Sequence, residues 1–254
     1  MDIRALGYLR LETTKLEEWR AYTLDVFGMV EASGTTEDTL YLRMDDRSYR
    51  IGRVLGAGGR RRRARGSGGL DVLVNAAGIL RSAHTEQMSL EFWNRIVAVN
   101  LTGTFLVTRE ALPALLVTGR GVVVDFSSTS ASFAPYMAAY AASKGGIQSF
   151  THAIALEYAK QGLRALCVAP GSISSGMTDG SGAGGSNRGP GLPEDTDWEL
   201  LGKLRPALTG EGFADPATGF AGPESVAGVV AMLASDEGAF ITGTELRIDG
   251  GTHM

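Results

Sequence analysis

The sequence predicts an α/β protein, an incomplete doubly wound parallel sheet preceded by a small βαβββ module. Three observations carry this. Short, continuous apolar runs at 70–74, 122–126 and 164–169 have the length and composition of parallel strands buried on both faces. Helical patterns separate these runs, the alternation expected of βαβ units. Residues 1–54 instead show one helical pattern among alternating strand patterns with polar turns, and a Gly- and Arg-rich stretch divides them from the rest.

In the first segment, Ile3 to Leu11 reads as a strand and Thr14 to Val26 as an amphipathic helix with Leu16, Trp19 and Val26 on one side. Met29 to Ala32, Thr39 to Met44 and Ser48 to Val54 complete the unit, separated by turn residues such as Ser33-Gly34 and Asp45-Asp46. Residues 55–69 read as a linker. Six arginines lie within 53–65, with no acid and no aromatic side chain to stack on a base. Glycines flank them, so a flexible connection is favoured over a nucleic-acid site. The net charge of −4 conceals this cluster.

From 70 onward, Leu70-Asp71-Val72-Leu73-Val74 ends at Asn75-Ala76-Ala77-Gly78, where small side chains let a ligand approach the backbone. A helix over about 90–99 leads into Asn100, a polar residue in an apolar helical pattern. It is either a buried hydrogen-bonding group at a kink or an anchor beneath a site. The strand at 121–126 ends in Ser127-Ser128. A helix then carries Tyr140 and Lys144, one turn apart on a shared face, to about Lys160. A phenol titrates near 10, so an adjacent ammonium is one means of making it a proton donor and acceptor. Arg164 to Ala169 is the next strand, closed by Pro170-Gly171-Ser172-Ile173. Residues 174–222 are rich in Gly, Ser and Pro, with a short helix at Trp198 to Leu204. Pro223 to Ala234 reads as a helix and Thr244 to Ile248 as a last strand.

Composition bounds the setting. Of 254 residues, 44% are hydrophobic and 20% charged, ordinary for a globular protein. Cys167 is the single cysteine, so an internal disulfide is excluded. With no signal-like start and no apolar run of 18 residues, a cytoplasmic protein without a membrane span is expected. His84, His152 and His253 are the only histidines and form no paired-His motif, so no metal site is expected.

Asn75-Ala76-Ala77-Gly78, Val99-Asn100, Ser128, Tyr140/Lys144, Pro170-Gly171 and Thr242-Gly243 with Asp249-Gly250-Gly251 stand in the order and spacing of the short-chain dehydrogenases/reductases. Residues 70–254 resemble that family, with its Rossmann-like sheet. The resemblance implies an NAD- or NADP-dependent oxidoreductase that moves a hydride between a small-molecule alcohol or ketone and the nicotinamide. Tyr140 would be the general acid/base. Lys144 would hold the nicotinamide ribose and lower the Tyr140 pKa, and Asn100 would anchor a relay water. Ser128, with Ser127 as the alternative, would position the substrate oxygen. Asn75, Ala77, Gly78, Pro170, Gly171, Ile173 and Thr178 would line the cofactor, beside Tyr140 and Lys144. A homo-oligomer is implied. Asp125 stands where the family frequently has Asn. Residues 1–54 resemble the first module of the extradiol ring-cleaving dioxygenases, of the vicinal oxygen chelate superfamily. The words Ile3-Arg4-Ala5-Leu6-Gly7-Tyr8-Leu9 and Leu40-Tyr41-Leu42-Arg43-Met44 carry that likeness.

The family's N-terminal strand and glycine-rich phosphate loop have no counterpart before 70; Gly56-Ala57-Gly58-Gly59 is a faint echo. The chain reads as a dioxygenase-like module fused to a reductase truncated at its start. Two other functions stay open beside the oxidoreductase: a non-catalytic remnant and a ring-cleaving dioxygenase fragment.

Overall fold

The computed structural model describes residues 9–13, 17, 20, 30–31, 39–43, 51–55, 69–174, 191–210, 212–215 and 218–252. The chain divides into two compact units, Met1–Gly68 and Gly69–Met254.

In the first unit, β1 (Leu9–Thr13), β2 (Val30–Glu31), β3 (Thr39–Arg43) and β4 (Ile51–Leu55) form one sheet in the order β1-β4-β3-β2. β1 and β4 run parallel, whereas β4 to β3 and β3 to β2 are antiparallel. Most of the predicted helix at 14–26 lies outside the described residues. Its Glu17 and Arg20 are helical, with Arg20 Nε 3.3 Å from the Glu17 carboxylate.

The second unit is a Rossmann-like layer structure. Four parallel strands, β5 (Val72–Asn75), β6 (Val122–Phe126), β7 (Arg164–Pro170) and β8 (Glu245–Ile248), lie in the order of the chain. Residues on β6 and β7 alternate between faces, as the pleat requires. Val123 and Ala165 face α2 (Gly103–Val117) and α3 (Ala138–Tyr158), packing with Leu73, Leu115, Ile154 and Leu163. Val122, Val124, Leu166 and Val168 pack on the other face with Leu233 of α5 (Glu224–Ala234). A short helix, α4 (Trp198–Gly202), lies in the connection before α5.

Two expectations need correction. The helix predicted to run from 90 to about 99 is α1 (Leu90–Val97), capped by Ser89, and it continues through a π-helical turn, Ala98–Thr102, into α2. Pro113 lies inside α2. The apolar run at 70–74 predicted a strand buried on both faces, yet Val72 and Val74 are only half-buried. β5 is one of the two edge strands of the four, and α5 covers the sheet over β6 and β7.

Candidate active site

The site residues meet at the carboxyl ends of the parallel strands, where a doubly wound sheet leaves its crevice. β5 delivers Asn75, β6 delivers Ser127 and Ser128 just past its end, and β7 delivers Pro170 and Gly171. The first turn of α3 supplies Tyr140, and the next supplies Lys144.

Tyr140 is 6% exposed and Lys144 4%. Ser128 hydrogen-bonds the Tyr140 phenol; its contact with the Pro170 carbonyl is long, at 3.4 Å. Ser127 is committed elsewhere, its hydroxyl donating to the Lys144 carbonyl at 3.0 Å and its N–H to the Val168 carbonyl at 2.8 Å. Of the two serines, Ser128 therefore addresses the phenol. Lys144 Nζ donates to the Phe126 carbonyl at 2.7 Å and lies 5.5 Å from the Tyr140 ring centre.

Burial pushes the Tyr140 phenol up to about 12, opposed by the Ser128 hydrogen bond. The Lys144 ammonium is held against the Phe126 carbonyl. Burial also brings Lys144 down to about 8; the charges of Cys167 and Asp125 oppose that fall.

Asn100 is fully buried within the π-helical turn, a distortion frequent at functional sites. Its Oδ1 accepts from the Ile79 N–H at 2.8 Å, and its Nδ2 donates to the Ile79 carbonyl and to Ser143 Oγ, each at 3.0 Å. Ser143 in turn donates to the Tyr140 carbonyl at 2.7 Å. Asn75 Nδ2 donates to Thr108 Oγ1 at 2.9 Å and to Asp125 Oδ1 at 2.7 Å. Gly78 sits where a Cβ would lie 3.3 Å from Asn100 Oδ1 and 3.5 Å from Lys144 Nζ. Ala77 is exposed at the mouth. Gly171 passes so close to β8 that a Cβ would meet Asp249 Cβ at 2.7 Å, while Ile173 bridges to Ala221. Thr178 lies outside the described residues.

An apolar wall completes the site. Ile79, Leu80, Met88, Phe92, Leu192 and Leu201 pack around Ile96, Met137, Ala139 and Tyr140. The segment carrying Leu192 and Leu201 is tied down by Asp195, which bonds His84 Nε2 at 2.8 Å, and by the Asp197 N–H, which donates to the Tyr136 hydroxyl at 2.9 Å. Tyr136 adopts a left-handed φ of 68°, and its ring meets the His84 ring edge-on at 5.2 Å. Sequence reasoning missed Ser143, Thr108, His84 and Tyr136. Ser143 carried a signal, since a small polar residue three after Tyr140 lies near the Tyr140 face of its helix.

The nicotinamide-ribose end of a dinucleotide fits these residues. The buried Lys144 ammonium has three N–H donors and one acceptor, Phe126, among the described residues. The absence of a side chain at Gly78 keeps the space beside it open. Among the described residues, no cluster of His, Cys, Asp or Glu is suited to a metal ion, and no helix is long and apolar enough to cross a membrane.

Over 190 residues the chain is 37% identical to a protein of Xanthobacter autotrophicus named Inactive 2-(S)-hydroxypropyl-CoM dehydrogenase 2, covering 74% of this chain and 75% of that one. The profile described as short chain dehydrogenase matches residues 61–184. The chain belongs to the short-chain dehydrogenase family. A profile described as Enoyl-(Acyl carrier protein) reductase matches 213–253 of this short-chain dehydrogenase, and one described as Dihydroxybiphenyl dioxygenase BphC D1 matches 6–56. It is 34% identical to 3beta-hydroxysteroid dehydrogenase 1 of Eggerthella lenta over 72% of this chain and 64% of that one. It is 36% identical to the 3-oxoacyl-[acyl-carrier-protein] reductase FabG of Thermotoga maritima, covering 66% of that protein. The chain thus spans slightly under two thirds of the length of these two relatives. Among solved structures, 4-hydroxyisoleucine dehydrogenase complexed with NADH and succinate matches with a TM-score of 0.57 and 26% identity, over 72% of this chain and 68% of that one.

Proposed function

We propose that this chain is an NAD- or NADP-dependent oxidoreductase that interconverts a small-molecule secondary alcohol and its ketone. One observation carries the reading: the Tyr140 phenol, held by Ser128, lies beside the buried Lys144 ammonium at the carboxyl end of the sheet. A bound nicotinamide supplies or accepts the hydride. Lys144 would hold its ribose through the ammonium donors not spent on Phe126. Asn75, Ala77, Gly78, Pro170, Gly171 and Ile173 would line the nicotinamide side, with Thr178 completing it.

The protein's own part is proton transfer and positioning. In the reducing direction, Ser128 and Tyr140 both donate to the substrate carbonyl oxygen. The Tyr140 proton passes to that oxygen as the carbon accepts hydride, leaving an alcohol and a tyrosinate. In a closed, apolar pocket the ionised phenol is unfavourable, which drives Tyr140 to regain its proton. Asn100 would anchor the water through which that proton returns. The apolar wall of Leu80, Met88, Phe92 and Leu192 favours a substrate with a hydrophobic flank next to its carbonyl. We place residues 1–54 as a non-catalytic module of the vicinal oxygen chelate kind, 55–69 as a linker and 70–254 as the reductase domain. The protein would act in the cytoplasm as a homo-oligomer.

A second reading, a chain that binds nucleotide without turnover, draws on the printed name of one relative, which includes the word inactive. A screen of hydrophobic ketones with NADH and NADPH, compared with Tyr140→Phe, separates the two. Consumption of reduced nucleotide that Tyr140→Phe abolishes supports the oxidoreductase; binding without consumption across the panel supports the second reading.

A further inference from the structure

Tyr140 is 6% exposed and Ser128 8%, so a substrate oxygen reaches the phenol only after part of its covering moves. Most of that covering stands on regular elements, such as Phe92 and Ile96 on α1 and Ala139 on α3. Leu192 and Leu201 instead stand on a strap, residues 191–208, whose regular part is the five-residue α4. The far end of the strap is fixed beside β7 and β8. Ser172 Oγ donates to the Leu204 carbonyl at 3.2 Å, and the Leu208 N–H to the Gly250 carbonyl at 2.8 Å. The near end starts at Gly191, left-handed at a φ of 62°, with nothing within 4 Å of where a Cβ would lie. Glycine turns there at little cost.

Two polar contacts fasten the near half. His84 Nε2 bonds the Asp195 carboxylate at 2.8 Å, and the Tyr136 hydroxyl accepts the Asp197 N–H at 2.9 Å. The two anchors form one unit: their rings meet edge-on at 5.2 Å, and the Tyr136 carbonyl accepts the Ala83 N–H at 2.8 Å. Tyr136 holds a φ of 68°, the one positive φ of a non-glycine among the described residues. An aromatic residue keeps that conformation only where its surroundings enforce it. Here a single residue, shortly before Tyr140, joins the loop after β5, the start of α3 and the strap. The fastening is also light enough to open. The Asp195 side chain is 77% exposed, and a pair so placed is worth little. The strap is held firmly at one end and lightly at the other.

We propose that the near half of this strap, residues 191–204, is a gate over Tyr140, with His84 and Tyr136 as the clasp that positions it and governs access to the phenol. The purpose of the gate rests on the oxidoreductase reading, but its test uses neither nucleotide nor turnover, so either can fail without the other. Hydrogen–deuterium exchange of the full-length protein, read by mass spectrometry, follows 191–204 against α3. His84→Phe keeps a ring against Tyr136 and loses the bond to Asp195; Tyr136→Phe loses only the hydroxyl. In both, exchange within 191–204 should quicken about threefold or more while α3 keeps its rate. Asp195→Ala cuts the same bond from the exposed side, where folding is not at stake, and should do likewise. His84→Gln, whose amide can still donate to Asp195, should restore the wild-type rate. Acetylation by N-acetylimidazole, mapped to Tyr140, reads access directly and should quicken in the same variants by a similar factor. Exchange in 191–204 unchanged in Asp195→Ala overturns the proposal, as does equal quickening in α3. Unchanged protection of Tyr140 beneath a loosened strap overturns it too, because the strap would then not cover the phenol.

Discussion

Asn100 donates from Nδ2 to Ser143 Oγ at 3.0 Å, and through Ser143 the π-helical turn is fastened to the backbone of Tyr140. The distortion that presents Asn100 and the helix that presents the phenol are thus one hydrogen-bonded assembly. Ser143→Ala removes the link and leaves Asn100 with Ile79 alone. The loss is expected to cost about 1–2 kcal/mol in urea unfolding, with activity falling less than in Tyr140→Phe. A variant as stable as the wild type would mean the link carries no load.

Tyr140→Phe deletes the proton donor and little volume. With Tyr140 as general acid/base, ketone reduction drops by about two to four orders of magnitude while NADH affinity changes little. The fluorescence of bound nucleotide and its rate of consumption check the two halves separately.

Asp125 predicts a pH dependence of stability. Its carboxyl is raised from 3.8 to about 6, first by burial, against the hydrogen bonds from Asn75 and Thr151 and the charge of Lys144. The folded protein therefore holds this proton where the unfolded chain has lost it. The stabilisation is complete below 3.8 and disappears as pH rises through 6. It amounts to roughly 3 kcal/mol. Melting curves of the wild type and Asp125→Asn between pH 4 and 7 should show the wild type losing stability relative to the variant as pH rises. Parallel curves would contradict this.

Gly171→Ala forces a methyl group into Asp249, with the Asp249 Cβ at 2.7 Å and its Cα at 2.9 Å. Both strand ends must part, at about 1–3 kcal/mol, and the nicotinamide side of the site should widen. A lowered Tm together with weaker NADH binding checks the claim.

The His84 and Asp195 pair ties the segment carrying Leu192 to the loop after β5. Its hydrogen bond to Asp195 holds the imidazole above its ordinary value. NMR titration of His84 should therefore show a midpoint above 6.5 that returns toward 6.5 in Asp195→Asn. A midpoint unmoved by the substitution would mean the contact does not form in solution.

Much of this was legible in the sequence because parallel strands and their C-terminal residues are written locally. The runs ending in Asn75, Ser128 and Pro170 announce both the strand and the residues at its mouth. Tyr140 and Lys144 announce themselves by helical spacing. Other features depend on tertiary facts. The half-burial of Val72 and Val74 follows from their strand lying at an edge, which an apolar run does not encode. The raised Tyr140 pKa follows from burial, which a Tyr–Lys spacing does not show. Ser143, Thr108 and Thr151 look like ordinary small polar residues until their partners Asn100, Asn75 and Asp125, which lie 43, 33 and 26 positions away, are known. The His84 contact with Asp195 spans 111 positions and has no local signature.

The Tyr140 and Lys144 site is expected to hold a nicotinamide dinucleotide. Titration of the full-length protein with NADH and NADPH, followed by nicotinamide fluorescence, tests it most directly. The expected result is saturable binding of at least one nucleotide, weakened at least tenfold in Lys144→Ala. A protein that melts cooperatively yet binds neither nucleotide would contradict it.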